Sequence, residues 1–194
     1  MPLNLDDLIA IDIHSHAEEP CDCHRDDGYN EFQAGMAKYF KNPAGAGGML
    51  PTVQETAAYY RERKIGAVIF PVDAERETGF RRYNNEEVAQ ICAQNDDILI
   101  PFASIDPAKG KAGAREARRL AREFGVRGFK FHPTMMGFFP NDRMAYPLYE
   151  AIAEEGAIAL FHTGQTGVGS GMRGGMGMRL KDSNPIHIDE GAGH

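Results

Sequence analysis

Hydrophobic and polar positions along the chain fall into a repeated pattern. Short apolar runs bounded by turn residues occur at Leu8 to Ile13, Ile65 to Val72, Ile98 to Ile105, Val126 to Phe131 and Ala157 to Phe161. Each has the length and character of a β-strand. Between them, apolar residues recur at helical spacing over Val53 to Arg63, Asn85 to Gln94, Ala112 to Phe124 and Tyr146 to Glu154. A Pro-Thr pair opens the first of these helical segments. The later strands recur about every 30 residues, the size of one strand-helix-strand crossover. Strands regularly followed by helices predict a parallel sheet. Runs as continuously apolar as Gly66-Ala67-Val68-Ile69-Phe70-Pro71-Val72 predict that both of its faces are covered. Two stretches break the rhythm, Glu18 to Leu50 and the Gly/Met-rich Gly164 to Met178. Both read as long loops on one rim, where binding and catalysis concentrate.

Two architectures satisfy this pattern, an open doubly wound sheet and a closed eight-stranded barrel. A dinucleotide-binding sheet would carry a Gly-x-Gly-x-x-Gly turn directly behind its first strand. The first strand runs instead into Ile11-Asp12-Ile13-His14-Ser15-His16. Side chains two apart on a strand share a face, so Asp12, His14 and His16 are expected to point the same way. The two imidazoles then lie roughly 7 Å apart at their Cα atoms, within reach of one metal ion. Two further histidines close the fourth and fifth strands, in Gly128-Phe129-Lys130-Phe131-His132-Pro133 and Leu160-Phe161-His162-Thr163-Gly164. Barrel enzymes assemble their sites at that C-terminal rim. Alone, His132 could equally be a core histidine bonded to backbone. Lys130 shares the parity of His132 and is a candidate substrate contact; the competing reading is a lysine that snorkels to water or pairs with an acid.

Composition narrows the function. The 194 residues, 42% hydrophobic and 25% charged, suit one globular domain over residues 1–194. Lysine and arginine number 21 against 28 acids, and the net charge of −7 disfavours a nucleic-acid partner. The acidic N-terminus is unlike a signal peptide, and no apolar run approaches the roughly 18 residues of a membrane span. The expected setting is therefore cytoplasmic, with a small-molecule substrate and no membrane partner. Three cysteines cannot form an even disulfide framework. Cys21-Asp22-Cys23-His24 has no later cysteine pair at zinc-site spacing and reads as structural or incidental. The glycines between Gly164 and Gly177 lack the Gly-Lys-Ser/Thr ending of a phosphate loop.

The combination of Asp12-x-His14-x-His16, Gly-Phe-Lys-Phe-His-Pro at Gly128 to Pro133 and Phe-His-Thr-Gly at Phe161 to Gly164 resembles the amidohydrolase-2 branch of the amidohydrolase superfamily. That branch includes aminocarboxymuconate semialdehyde decarboxylases and related hydrolases and hydratases. The resemblance spans about residues 9 to 189. It implies an α/β fold, a (β/α)8 TIM barrel of which this chain would supply about five of eight βα units. It also implies a mononuclear divalent metal, usually zinc and sometimes manganese. By position, His14, His16 and His162 match the family's metal-binding histidines, His132 matches a residue near the substrate, and Asp12 falls in a supporting position behind the ligands.

Three histidines with an open fourth position are a catalytic rather than a structural metal arrangement. Such a site activates water and polarises a carbonyl, so hydrolysis of a small carbonyl or carboxylate compound is the expected activity. Non-oxidative decarboxylation is the alternative, the same ion holding a carboxylate as carbon dioxide leaves. Arg173 and Arg179 could clamp an acidic group bidentately or stand solvated on their loop. The family's strand-six histidine and strand-eight aspartate have no counterpart here, which implies a C-terminally truncated or split barrel. Asn184 to Asp189 reads as the start of the helix leading toward strand six. Unpaired strand edges would then invite a second copy or a complementing C-terminal fragment, and an inactive metal-binding fragment is the reading from another class.

Overall fold

The computed structural model describes residues 3–18, 35, 38–39, 41 and 50–192. Five strands, β1 (Ala10–His16), β2 (Ile65–Phe70), β3 (Leu99–Ala103), β4 (Gly128–Phe131) and β5 (Ile158–Phe161), form one sheet in strictly sequential order. Every neighbouring pair is parallel. A doubly wound sheet reverses its strand order at a switch point and so puts helices on both faces. Sequential order with right-handed crossovers puts every helix on the same face, and the sheet curls around the other. The result is a partial (β/α)8 barrel, as the strand-helix rhythm and the histidine-bearing strand ends predict.

The helices are α1 (Val53–Glu62), α2 (Glu75–Thr78), α3 (Asn85–Gln94), α4 (Gly110–Phe124), α5 (Pro133–Met136), α6 (Tyr146–Glu154) and α7 (Ile186–Ala192). Local chemistry sets their ends. Thr52 accepts from Glu55 N while the Glu55 side chain accepts from Thr52 N, a reciprocal cap worth about 1 kcal/mol. Asn84 accepts from the amides of Glu86 and Glu87 at the start of α3. Gly125, at φ 68°, adopts the left-handed conformation that terminates α4. Helices α3 and α6 match the sequence-predicted limits. The short α2 and α5 were not legible, because four residues are too few to display a period; both follow strand ends and shape the rim.

Side-chain alternation separates an outer from an inner layer. On the outer face, Ala67 and Ile69 pack with Val53, Ala57, Val88 and Cys92. Further along it, Ala103, Phe129 and Phe131 pack with Ala117, Leu120, Leu148 and Ile152. The opposite parity, Val68, Phe70 and Phe102, forms a smaller inner cluster. Gly128 belongs to this inner parity. A Cβ there would stand 2.4 Å from the Phe102 ring and 2.7 Å from the Ile158 carbonyl oxygen, so only glycine lets Phe102 lie across β4. Strands β1 and β5 are the sheet's edges among the described residues, and Ile11, Ile13 and Ile158 on them are exposed. No helix among the described residues is long and apolar enough to cross a membrane.

Candidate active site on the inner face

The site begins with a defect in β1. Asp12 stands opposite Ala67 but Ser15 stands opposite Ile69, so three steps on β1 match two on β2. Such a bulge re-aims the side chains that follow it. Asp12 consequently turns outward toward α1, where Tyr60 donates to its Oδ2 at 2.5 Å. The Tyr60 ring packs with the outer cluster. The imidazoles of His14 and His16 lie instead against Phe70 of the inner cluster, at ring-centroid distances of 5.4 Å and 4.9 Å. The expectation that Asp12 shares their face is therefore corrected: period-two parity fails across a bulge. Asp12 still supports the pair, because its Oδ1 accepts from the His14 amide at 2.9 Å.

The Tyr60 hydroxyl, followed by the His14 amide, holds the Asp12 carboxyl below its usual range. A depressed carboxylate stabilises the fold fully above its unfolded pKa, about 3.9, and that stabilisation is lost as pH falls through the folded value. Tyr60→Phe is expected to lower unfolding free energy at pH 7 by about 1 kcal/mol, after allowance for solvent screening of this half-exposed pair. Urea unfolding at pH 7 and pH 2 checks it. A difference as large at pH 2 as at pH 7 would contradict the assignment.

The Nε2 atoms of His14 and His16 face each other at 3.2 Å. Burial, then the neighbouring Lys130 ammonium and the His162 ring, lowers the pKa of His14. Burial, then His14, pushes His16 down to about 3. Both rings are thus neutral at physiological pH, the protonation state a metal ligand needs.

Across the inner face, the rings of His132 and His162 stack in parallel, 4.0 Å apart and 6° from coplanar. His132 caps α5 and is buried; its Nδ1 accepts from the Met135 amide at 3.3 Å, which leaves the ring proton on Nε2. Burial, then His162 and Lys130, pushes its pKa well below the ordinary value. His162 is likewise lowered, first by burial and then by Lys130, while hydrogen bonding to the backbone at Gln165 and Gly164 acts in the opposite sense. Its Nε2 is buried without a hydrogen-bond partner among the described residues. The stacking uses the ring faces and leaves the His162 Nε2 edge unpartnered among the described residues.

Lys130 lies beside them, fully buried, with its Nζ 4.9 Å from the Phe70 ring centroid. It neither snorkels to water nor pairs with an acid, which corrects that expectation: its inward parity on a central strand closes both routes. Nζ has no hydrogen-bond partner among the described residues, and burial pushes its pKa down to about 8. A cation-π contact contributes about 0.5–2 kcal/mol, whereas desolvating an ammonium costs several. The contact with Phe70 therefore does not offset the burial.

The residues fit a divalent ion in part. Two neutral imidazoles converge, and an orphaned imidazole nitrogen and a buried amine lie on the same face. The three-histidine set implied by the resemblance is not drawn together here: no group of three or more His, Cys, Asp or Glu side chains converges as a metal site among the described residues. His14 and His16 form the pair, and His162 stacks on His132 instead. Arg173 is exposed in the turn after Met172, and no contact among the described residues joins it to the histidines. The Cys21 to His24 motif and most of the Glu18 to Leu50 loop lie outside the described residues.

A second polar cluster was missed in the sequence. Buried Asp73 and Asp106 follow the ends of β2 and β3. Asp73 accepts from Lys109 Nζ at 2.6 Å and from the Asp106 amide at 3.0 Å, and Asp106 accepts from Arg76 Nε at 2.8 Å. Ser104 Oγ donates to the Lys130 carbonyl at 2.8 Å, tying this rim to β4. The available signal was an aspartate placed just beyond each apolar run, in Val72-Asp73 and Ile105-Asp106. A cavity of about 260 Å³ borders Asp73, Arg76, Asp106 and Lys109 rather than the histidines.

Comparison with known proteins agrees with this architecture. None of the curated proteins matches the chain. Among solved structures, 5-carboxyvanillate decarboxylase LigW from Sphingomonas paucimobilis superposes with a TM-score of 0.58 at 16% identity, over 94% of this chain and 60% of that one. The 5-carboxyvanillate decarboxylase from Novosphingobium aromaticivorans, solved with manganese and 4-hydroxy-3-methoxy-5-nitrobenzoic acid, superposes with a TM-score of 0.53 at 16% identity, over 84% and 50%. The chain thus spans 60% or less of the length of these structures, and at such identity the likeness is one of fold. The amidohydrolase family description matches residues 11–192, from the bulged first strand through the last helix, and this chain belongs to the amidohydrolase family.

Proposed function

We propose that the inner face of this half-barrel is the metal-binding part of an active site that acts on a small carbonyl or carboxylate compound. The observation that carries the reading is the pair of neutral imidazoles, His14 and His16, whose Nε2 atoms face each other at 3.2 Å. His162 is the third ligand in this reading: its Nε2 is buried and unpartnered among the described residues, and its ring would have to leave the His132 stack to join the pair. Imidazole donors suit zinc, and manganese is supported by the decarboxylase of the same fold that was solved with it. When bound, the ion supplies Lewis-acid polarisation of a substrate oxygen.

The chain's own residues do the rest. Phe70 walls His14 and His16 on one side and keeps bulk water from that flank. Asp12 holds the His14 main chain, which orients the ring without touching it. His132, neutral and with its proton on Nε2, would donate a hydrogen bond to the reacting centre. Non-oxidative decarboxylation is taken first, supported by the 5-carboxyvanillate decarboxylases of the same fold. In that reaction the carbon-carboxylate bond breaks, carbon dioxide departs with the bond's electron pair left on carbon, and that carbon takes a proton from water. Hydrolysis is the second reading, supported by the family's name.

The test is to load the protein with manganese or zinc and supply aromatic and aliphatic carboxylates beside esters and lactones. Carbon dioxide release that a chelator abolishes is expected. Metal-dependent ester or lactone turnover without carbon dioxide would move the reading to hydrolysis. Absence of metal-dependent turnover of either class would overturn it.

A further inference from the structure

We propose that Lys130 is the anchor for a carboxylate on the ligand of this site, so that the half-barrel selects acids over neutral compounds of the same shape, whichever bond is subsequently broken. The inference rests on the reading of the inner face as an active site and deepens it by naming the substrate class.

The argument is one of charge with nowhere else to go. Lys130 is fully buried, and its Nζ has no hydrogen-bond partner among the described residues. Among the described residues its surroundings on the inner face are a phenyl ring and imidazoles, with no acid paired to it. Phe70 lies under the amine, and the same ring carries His14 and His16 on its other contacts. The acids nearest along the strands are committed elsewhere. Asp12 is turned to the outer face by the β1 bulge and held by Tyr60. Asp73 is taken by Lys109 and the Asp106 amide, and Asp106 by Arg76. Buried cations persist when an anion meets them. A carboxylate, with two oxygens and several lone pairs, brings the ammonium both charge and acceptors, whereas a neutral amide brings no compensating charge. The geometry also places the anchor one ring away from the His14 and His16 pair, close enough for a small acid to meet both.

Benzoate and benzamide, which share size and ring, are the probes. Binding of each is measured by calorimetry or ligand-observed NMR to the wild-type protein and to Lys130→Met, both metal-loaded and after treatment with a chelator. Wild type is expected to favour benzoate over benzamide by about tenfold or more. Lys130→Met is expected to lose about that factor for benzoate alone while keeping its metal content. Equal binding of the two probes by wild type, or benzoate binding unchanged in Lys130→Met, would overturn the proposal. The first comparison needs no variant, so it decides even if Lys130→Met fails to fold. If wild type takes up no metal yet shows Lys130-dependent preference for benzoate, the metal reading fails and the anchor stands. If metal binds and the preference is absent, the anchor fails and the metal reading stands.

Discussion

Replacing both His14 and His16 with alanine is expected to abolish divalent-metal binding, lowering affinity by more than about 100-fold. Loss of a residue that merely orients a ligand typically costs 10- to 100-fold, and here two direct donors disappear together. Burial, with Lys130 nearby, keeps both rings neutral, so neither needs to shed a proton before ligation at pH 7. Elemental analysis after dialysis against zinc or manganese gives the direct readout. Thermal unfolding gives an independent one, because an ion that binds only the folded chain raises the melting temperature with concentration. Wild type should show that shift and the double variant should not. Equal metal content in the two proteins would remove the basis of the proposed site. His14 is exposed and His16 half-buried, so the substitutions themselves cost little folding energy and the comparison is clean.

Phe131→Ala is expected to destabilise the protein by about 3–5 kcal/mol, a large share of the stability of a single domain. Phe131 is fully buried in the outer layer. It stacks on Phe161 at 4.9 Å and meets Tyr149 edge-on at 5.5 Å and Phe138 at 6.3 Å. Removing the ring takes away its transfer energy and leaves a cavity that three aromatic neighbours, pinned by strand and helix, close only in part. The effect extends to function, since Phe131 sits between Lys130 and His132 on β4 and faces the opposite way. A loosened outer layer shifts both inward groups at once. Denaturant unfolding measures the loss, and a change below about 1 kcal/mol would show that the layer repacks freely.

The repeating strand-helix architecture was legible because burial imposes a period. Asn85 to Gln94 and Tyr146 to Glu154 carry apolar residues at helical spacing and form helices over the same limits. The five apolar runs became the five strands, shortened where Val72 and Ile105 continue into the rim instead of the ladder. The strand-end positions of His132 and His162 were equally legible, since a strand's direction and its last apolar residue are local properties. Less visible was anything that depends on one residue of register. The Asp12-His14-His16 spacing promised one face, and a bulge against β2 split it.

By itself, then, the sequence determined the fold class, the family and the four histidines at strand ends, because periodicity and motif spacing are written residue by residue along the chain. Only the tertiary structure decided that Asp12 faces Tyr60, that His162 stacks on His132, that Lys130 is buried without a hydrogen-bond partner among the described residues, and that Asp73 and Asp106 brace the rim. Each of these rests on a contact between segments far apart in sequence. Which partner a polar group meets is set by how strands align and which helix covers them, and no local pattern of residues carries that information.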